Sequence, residues 1–384
     1  MNDEESSDEA GTGERSPDVT GPSGGPAGSA ASAVGPDGAT LEARVAEFVA
    51  AVSEGDEHTA LRVVNGALEA GTEPEDVLLR IIAPAQYRVG EDWAADRISV
   101  ATEHVATGIS DRAVAAVAAT HSAPRAWYRG RIAVACVEGE WHALPARILA
   151  EVLRLRGWRV DFLGAHVPGT HLIDHLHRTG AHLVALSCSL PVRLPAAYVA
   201  VSASQEAGVP VLAGGAGFGP DGEYARTLGV DMWAPDAVTA ASLVHDEWPV
   251  LGGTRVPDLA HLEDQEYALL MRDRHRLVAD TLAALPARFP AMKSYTSHQM
   301  RCTEDDLSCI AEFLAAALYV DDQTLFTRFL LWTADILEAR NVPVVSLLEA
   351  LDLMSLSFRD FFRAGAVVGA GLTALREREG ERGG

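Results

Sequence analysis

Basic residues are scarce in this chain. Only 31 Lys and Arg stand against 54 Asp and Glu over 384 residues, a formal charge of −23. A phosphate backbone would be repelled overall, so nucleic acid is not an expected partner. Cysteines are equally few: Cys136, Cys188, Cys302 and Cys309 show neither CxxC nor a Cys/His zinc spacing and are too sparse for a disulfide scaffold. A reducing, cytoplasmic setting is expected. The opening MNDEESSDEA lacks the basic start and apolar stretch of a signal peptide, and no run approaches the roughly 18 apolar residues of a membrane span, so no membrane is expected either. Gly214-Gly215-Ala216-Gly217 lacks the Lys and Ser/Thr of a phosphate loop, and no nucleophile-base pair stands out. Binding or signalling is therefore expected, not catalysis.

What is present is enough apolar material for real cores, 48% hydrophobic against 22% charged, in a chain long enough for two or three domains. Residues 1–40 carry eight acids against one base among Gly, Ser, Pro and Ala, which predicts a disordered acidic tail. Over 41–125 apolar residues recur at three- and four-residue spacing, predicting four helices near 41–54, 57–70, 74–93 and 99–119, an antiparallel four-helix bundle. At Arg131 the pattern changes to short apolar runs alternating with helical stretches at 170–179 and 194–206. The runs are Ile132 to Val137, Arg159 to Leu163, Leu183 to Ser187, Val209 to Ala213 and Asp231 to Ala234. Over 128–250 this predicts a Rossmann-like, doubly wound parallel sheet of flavodoxin-like type, with ligands at the carboxyl ends of its strands. Residues 255–384 return to helical period, near 258–284, 303–320, 324–341, 344–362 and 366–378, with Thr303 as a helix start. This is an all-helical domain of globin-like size.

Directly after the first run stand Gly139-Glu140-Trp141-His142. A loop there lies at the ligand edge of the sheet. His142 could bind a metal with Glu140 orienting its other ring nitrogen, although a lone ExH equally suits an ordinary surface loop. Leu186-Ser187-Cys188-Ser189-Leu190 follows the third run and Gly214-Gly215 the fourth. In this order the three elements resemble the corrinoid-binding fingerprint D-x-H-x-x-G, S-x-L and G-G of cobalamin proteins. Glu140 replaces the Asp and Pro145 the trailing Gly. The resemblance implies His142 as lower cobalt ligand, with Ser187, Ser189, Gly214 and Gly215 beside the nucleotide tail.

In the helical segment before it, Trp93 is followed after nine residues by Glu103-His104. This W-x9-EH pattern resembles the cap of light-sensing adenosylcobalamin proteins, where Trp covers the upper face and Glu-His contacts the adenosyl group. Taken alone, Trp93 equally suits a core and Glu103-His104 a solvated face. Those regulators place a histidine after the Trp, where this chain has Ala94, which excludes a bis-histidine adduct through that position. Their DNA-binding domain is also missing. A capped cobalamin domain fused to a globin-sized helical domain resembles the photocobilins, photoreceptors that hold cobalamin and a bilin. The resemblance implies biliverdin in the C-terminal domain, and Tyr295, His298, Cys302 and Arg328 are the candidate contacts, with Arg301, Arg340 and Cys309 in the same helical region. Arg forks suit propionates, and only a thiolate could add to a vinyl group. A homo-oligomer or an unidentified protein partner would carry the output. Two readings compete: a corrinoid methyl carrier serving methyltransferases, and a haem-binding sensor globin using His261 or His275.

Overall fold

The structure is a computed structural model that describes residues 36–120, 129–246 and 257–383. Of the expected acidic tail, residues 1–35 lie outside the described residues. Residues 36–40 belong to the first helix, which begins one turn earlier than its apolar periodicity indicates.

The cap is formed by α1 (Pro36–Glu54), α2 (Glu57–Glu69), α3 (Pro74–Val77), α4 (Ala83–Ala94) and α5 (Val100–Ala119). Asp56 and Ser99 start α2 and α5 by accepting the N–H groups of Thr59 and Thr102. The third expected helix is continuous but changes winding: Leu78–Ile82 form a π turn between α3 and α4. Pro84 follows at once and has no N–H to donate, so the widened turn sits where the α ladder would be broken anyway.

Five parallel strands follow: β1 (Arg131–Cys136), β2 (Arg159–Gly164), β3 (Leu183–Ser187), β4 (Val211–Gly214) and β5 (Met232–Ala234). They are ordered β2-β1-β3-β4-β5, the flavodoxin-like order. The crossovers are α6 (Leu144–Leu155), α7 (Gly169–Thr179), α8 (Leu194–Glu206) and α9 (Glu223–Thr227), with α10 (Ala237–Asp246) after β5. The C-terminal part is all helical: α11 (Glu266–Arg288), α12 (Ser297–Val320), α13 (Gln323–Ala339), α14 (Val345–Ser355) and α15 (Phe362–Gly383). Thr303 lies inside α12, whose cap is Thr296 in a reciprocal capping box with Gln299. His261 sits in a short 3-10 turn (Ala260–Asp264) rather than in a long helix.

Side-chain alternation along the strands sends alternate residues to opposite faces and so builds two cores. Ile132, Val134, Cys136, Leu183, Ala185 and Leu212 pack with α6, α10 and the cap. Ala133, Ala135, Val184, Leu186, Val211 and Ala213 pack with α7, α8 and the C-terminal helices. The C-terminal domain therefore shares a core with the sheet instead of hanging from it. Cap and C-terminal domain, on opposite sides, meet where Trp93 at the end of α4 touches Trp332 of α13, ring centroids 6.4 Å apart. Among the described residues no helix is long and apolar enough to cross a membrane.

Candidate functional site

The loop after β1 is fixed from three directions. Val137 N–H donates to Ser187 O (3.1 Å) and Glu140 N–H turns back on Val137 O (3.0 Å). Gly139 has φ +81°, and a Cβ there would lie 3.1 Å from the Arg193 side chain. A left-handed backbone pressed against a guanidinium stem leaves only glycine unstrained.

Glu140 is fully buried. Its Oε1 accepts the His142 N–H (2.9 Å) and His142 Nδ1 (2.5 Å), and its Oε2 accepts the N–H groups of Ser189 (2.6 Å) and Leu190 (3.2 Å). Burial would raise its pKa, but the hydrogen bond and charge of His142, with the backbone donors of His142 and Ser189, outweigh it and hold the carboxyl below its ordinary value. An ionised carboxylate only accepts, so the proton of the pair resides on His142 Nδ1. That sets the tautomer in which Nε2 carries no proton, the form a metal-binding imidazole takes. Neighbouring thiols offer no rival: burial, then the Glu140 charge, pushes Cys136 up to about 12 and Cys188 well above its ordinary value. Among the described residues no group of three or more His, Cys, Asp and Glu is placed to hold a metal ion by itself.

The residues expected beside the nucleotide tail have other visible tasks. Ser187 is buried and gives its carbonyl to Val137, while Ser189 contributes its backbone N–H to Glu140. The close approach at the glycine pair is to protein. A Cβ on Gly215, at φ +104°, would fall 2.3 Å from Cys188 O, and one on Gly214 3.3 Å from Ala234 O.

In the cap, Trp93 is buried, with the Arg340 guanidinium 5.3 Å from its ring centroid and Arg340 Nε 3.7 Å from Asp96 Oδ1. Glu103 Oε1 accepts from Thr107 Oγ1 (2.7 Å) and Gln86 Nε2 (3.4 Å), which turns it into the α4–α5 groove. His104 Nε2 lies 3.7 Å from Glu103 Oε2, yet its side chain is half exposed. The pattern W-x9-EH therefore brings Glu103 and His104 together, while Trp93 faces the C-terminal domain. Trp332 and Gln86 gave no sequence signal, because each acts through a partner distant in sequence.

The expected bilin contacts are not gathered. Cys302 Sγ and His298 Nε2 are 3.8 Å apart on exposed first turns of α12. Arg328 is committed elsewhere, to Glu223 (3.2 Å), Tyr224 Oη (3.3 Å) and Asp322 (3.7 Å). Tyr295 alone reaches a cleft, of about 60 Å³, that Asp306, Leu307, Thr333, Leu337 and Ser346 also line. Cys309 is buried as a small core hydrophobe.

Two family profiles match, each described as a B12 binding domain, over residues 130–242 and 45–118. The chain is 23% identical over 212 residues to the trimethylamine corrinoid protein of Methanosarcina barkeri, covering 54% of this chain and 97% of the relative. It is also 23% identical over 215 residues to trimethylamine corrinoid protein 1 of Methanosarcina acetivorans, with the same coverage. Among solved structures, the monomethylamine corrinoid protein of Methanosarcina barkeri shares 17% identity over 53% of this chain and 97% of its own, with a TM-score of 0.46. A cobalamin-binding protein from Desulfitobacterium hafniense shares 21% over 55% and 98%, with a TM-score of 0.31. Cap and sheet thus each match a B12 binding domain, which supports cobalamin binding by this part of the chain.

Proposed function

We propose that this chain is a cobalamin-based light sensor. His142 would hold the cobalt of adenosylcobalamin from the sheet side, and Trp93, Glu103 and His104 would hold the cofactor from the cap. Bound adenosylcobalamin supplies a cobalt–carbon bond that blue or green light breaks. The chain's own residues do the rest. Glu140 fixes the tautomer and aim of His142, Gln86 and Thr107 hold Glu103, and Trp93 passes any cap displacement to α13 through Trp332 and Arg340. The observation that carries this reading is the closure of Trp93 by Trp332 and Arg340. A cap tryptophan that seals against a third domain suits a sensor whose cap movement is its signal. The output would be altered self-association or capture of a protein partner, a signalling role without turnover.

Biliverdin in the C-terminal domain rests on the photocobilin resemblance alone. A cleft of about 60 Å³ has room for a few water molecules and not for a linear tetrapyrrole, and Arg328 is not among the residues that line it.

A corrinoid methyl carrier is the second reading, favoured by the trimethylamine corrinoid proteins to which the chain is similar. A carrier presents its cofactor to an enzyme and gains nothing from a sealed Trp93. The haem alternative loses its candidates: His261 Nε2 is engaged with Tyr319 O at 2.8 Å, and His275 is exposed.

The test is gel filtration with visible absorption of the full chain, loaded with adenosylcobalamin and biliverdin in the dark and after green and then red light. A sensor changes elution volume with illumination, and a red band co-eluting with protein supports the bilin. An elution volume indifferent to light, with cobalamin retained, favours the carrier.

A further inference from the structure

We propose that Trp141, braced by His166, is the platform on which the lower face of the corrin rests. The inference depends on His142 being the cobalt ligand and not on the light-sensing reading. Trp141 stands between the buried Glu140 and His142, yet 62% of its surface is exposed. Indole is a large apolar group that proteins ordinarily cover. It is not loose: its ring stacks on His166 with centroids 5.0 Å apart and planes 2° from parallel. His166 is itself held in a left-handed backbone, φ +48°. Its Nδ1 accepts the Gly139 N–H (2.9 Å) and its own N–H donates to Glu140 O (2.8 Å). A non-glycine residue keeps such a conformation only where its surroundings over-determine it, and here they use it to hold an aromatic plane still. One face of the indole is covered and the other is open.

The occupant follows from position. Adjacent Cα atoms lie about 3.8 Å apart, and a planar macrocycle bound through the His142 imidazole is far wider, so it spreads over the neighbouring residue. An indole fixed before binding loses no rotamer freedom on contact, which is where a rigid platform gains affinity. His166 acts as a positioning residue, reaching the cofactor only through Trp141.

The test uses the full chain and hydroxocobalamin, with binding measured by ultrafiltration. Trp141→Ala should weaken binding about tenfold, and Trp141→Phe, which keeps an aromatic plane, about twofold. His166→Asn keeps both an acceptor for Gly139 and tolerance of the left-handed backbone but removes the stack. It should fold as the wild type and bind about threefold more weakly. Hydroxyl-radical oxidation read by mass spectrometry gives the second readout: loading should protect Trp141, while Tyr87, 39% exposed on α4, keeps its rate. Wild-type affinity in Trp141→Ala, or equal Trp141 oxidation in loaded and unloaded protein, overturns the platform and turns the open face toward a protein partner. Failure of the wild type itself to retain hydroxocobalamin would overturn the cobalt-ligand reading and the platform together.

Discussion

The carboxylate of Glu140 holds His142 Nδ1 at 2.5 Å from a fully buried position. The same carboxylate pins the loop after β3 through Ser189 and Leu190, so one side chain orients His142 and joins the two loops at the carboxyl edge of the sheet.

Replacing Glu140 by Gln keeps its volume but puts an N–H₂ where only acceptors fit. Cobalamin affinity should fall about 10- to 100-fold, as for other residues that orient a metal-bound histidine. Because the folded-state pKa of Glu140 is depressed, its contribution to stability is present above the unfolded value of about 4.3 and is lost as pH falls through the lower folded value. Glu140→Gln should therefore flatten the loss of stability below about pH 4.3, measured by denaturant unfolding across pH.

Gly215→Ala combines a left-handed φ with a Cβ 2.3 Å from a backbone carbonyl, an atom that cannot swing away. A loss of about 3 kcal/mol or more is expected in equilibrium unfolding, with cobalamin binding falling in parallel. Gly371→Ala is the control. Its Cβ would meet Leu330 Cδ1 at 2.4 Å, but that is the end of a flexible side chain, and the cost should be smaller.

The Trp93–Trp332 contact should appear as a coupling of about 1 kcal/mol in a double-mutant cycle to Ala, read from unfolding free energies. Trp93→Ala should alter the lifetime of the illuminated state more than cobalamin affinity, followed by the return of the dark elution volume.

Asp306 is exposed at the lip of the cleft, yet desolvation by the surrounding protein, with the repulsion of Asp305 and against the attraction of Arg340, pushes its carboxyl up to about 6. The folded value exceeds the unfolded one of about 3.9, so ionisation opposes folding and stability rises as pH falls from about 6 to about 4. Asp306→Asn should raise Tm at pH 7 and leave it unchanged at pH 4. An equal shift at both would show that the charge is not the cause.

The sheet was legible because buried parallel strands are continuous apolar runs, and Ile132 to Val137 or Leu183 to Ser187 admit little else. The Glu140–His142 pair was legible because both residues share one short loop. What escaped depends on distance in sequence or on backbone atoms. Trp332 finds Trp93 only after the chain wraps both faces of the sheet, the Ser189 and Leu190 N–H donors leave no residue signature, and Gly215 is glycine for the sake of Cys188. At α12 the hydroxyl-acid run from Thr303 imitated a helix start while the true cap, Thr296 with Gln299, lay two turns upstream.

The most direct test of the central claim is the electron paramagnetic resonance spectrum of the full chain loaded with cobalamin and reduced to cobalt(II), prepared with ordinary and with heavy-nitrogen-labelled histidine. If His142 is the lower ligand, labelling changes the axial nitrogen splitting from a triplet to a doublet, and His142→Ala abolishes that change. A splitting indifferent to the label would mean that the nitrogen comes from the cofactor's own base, and would contradict the site described.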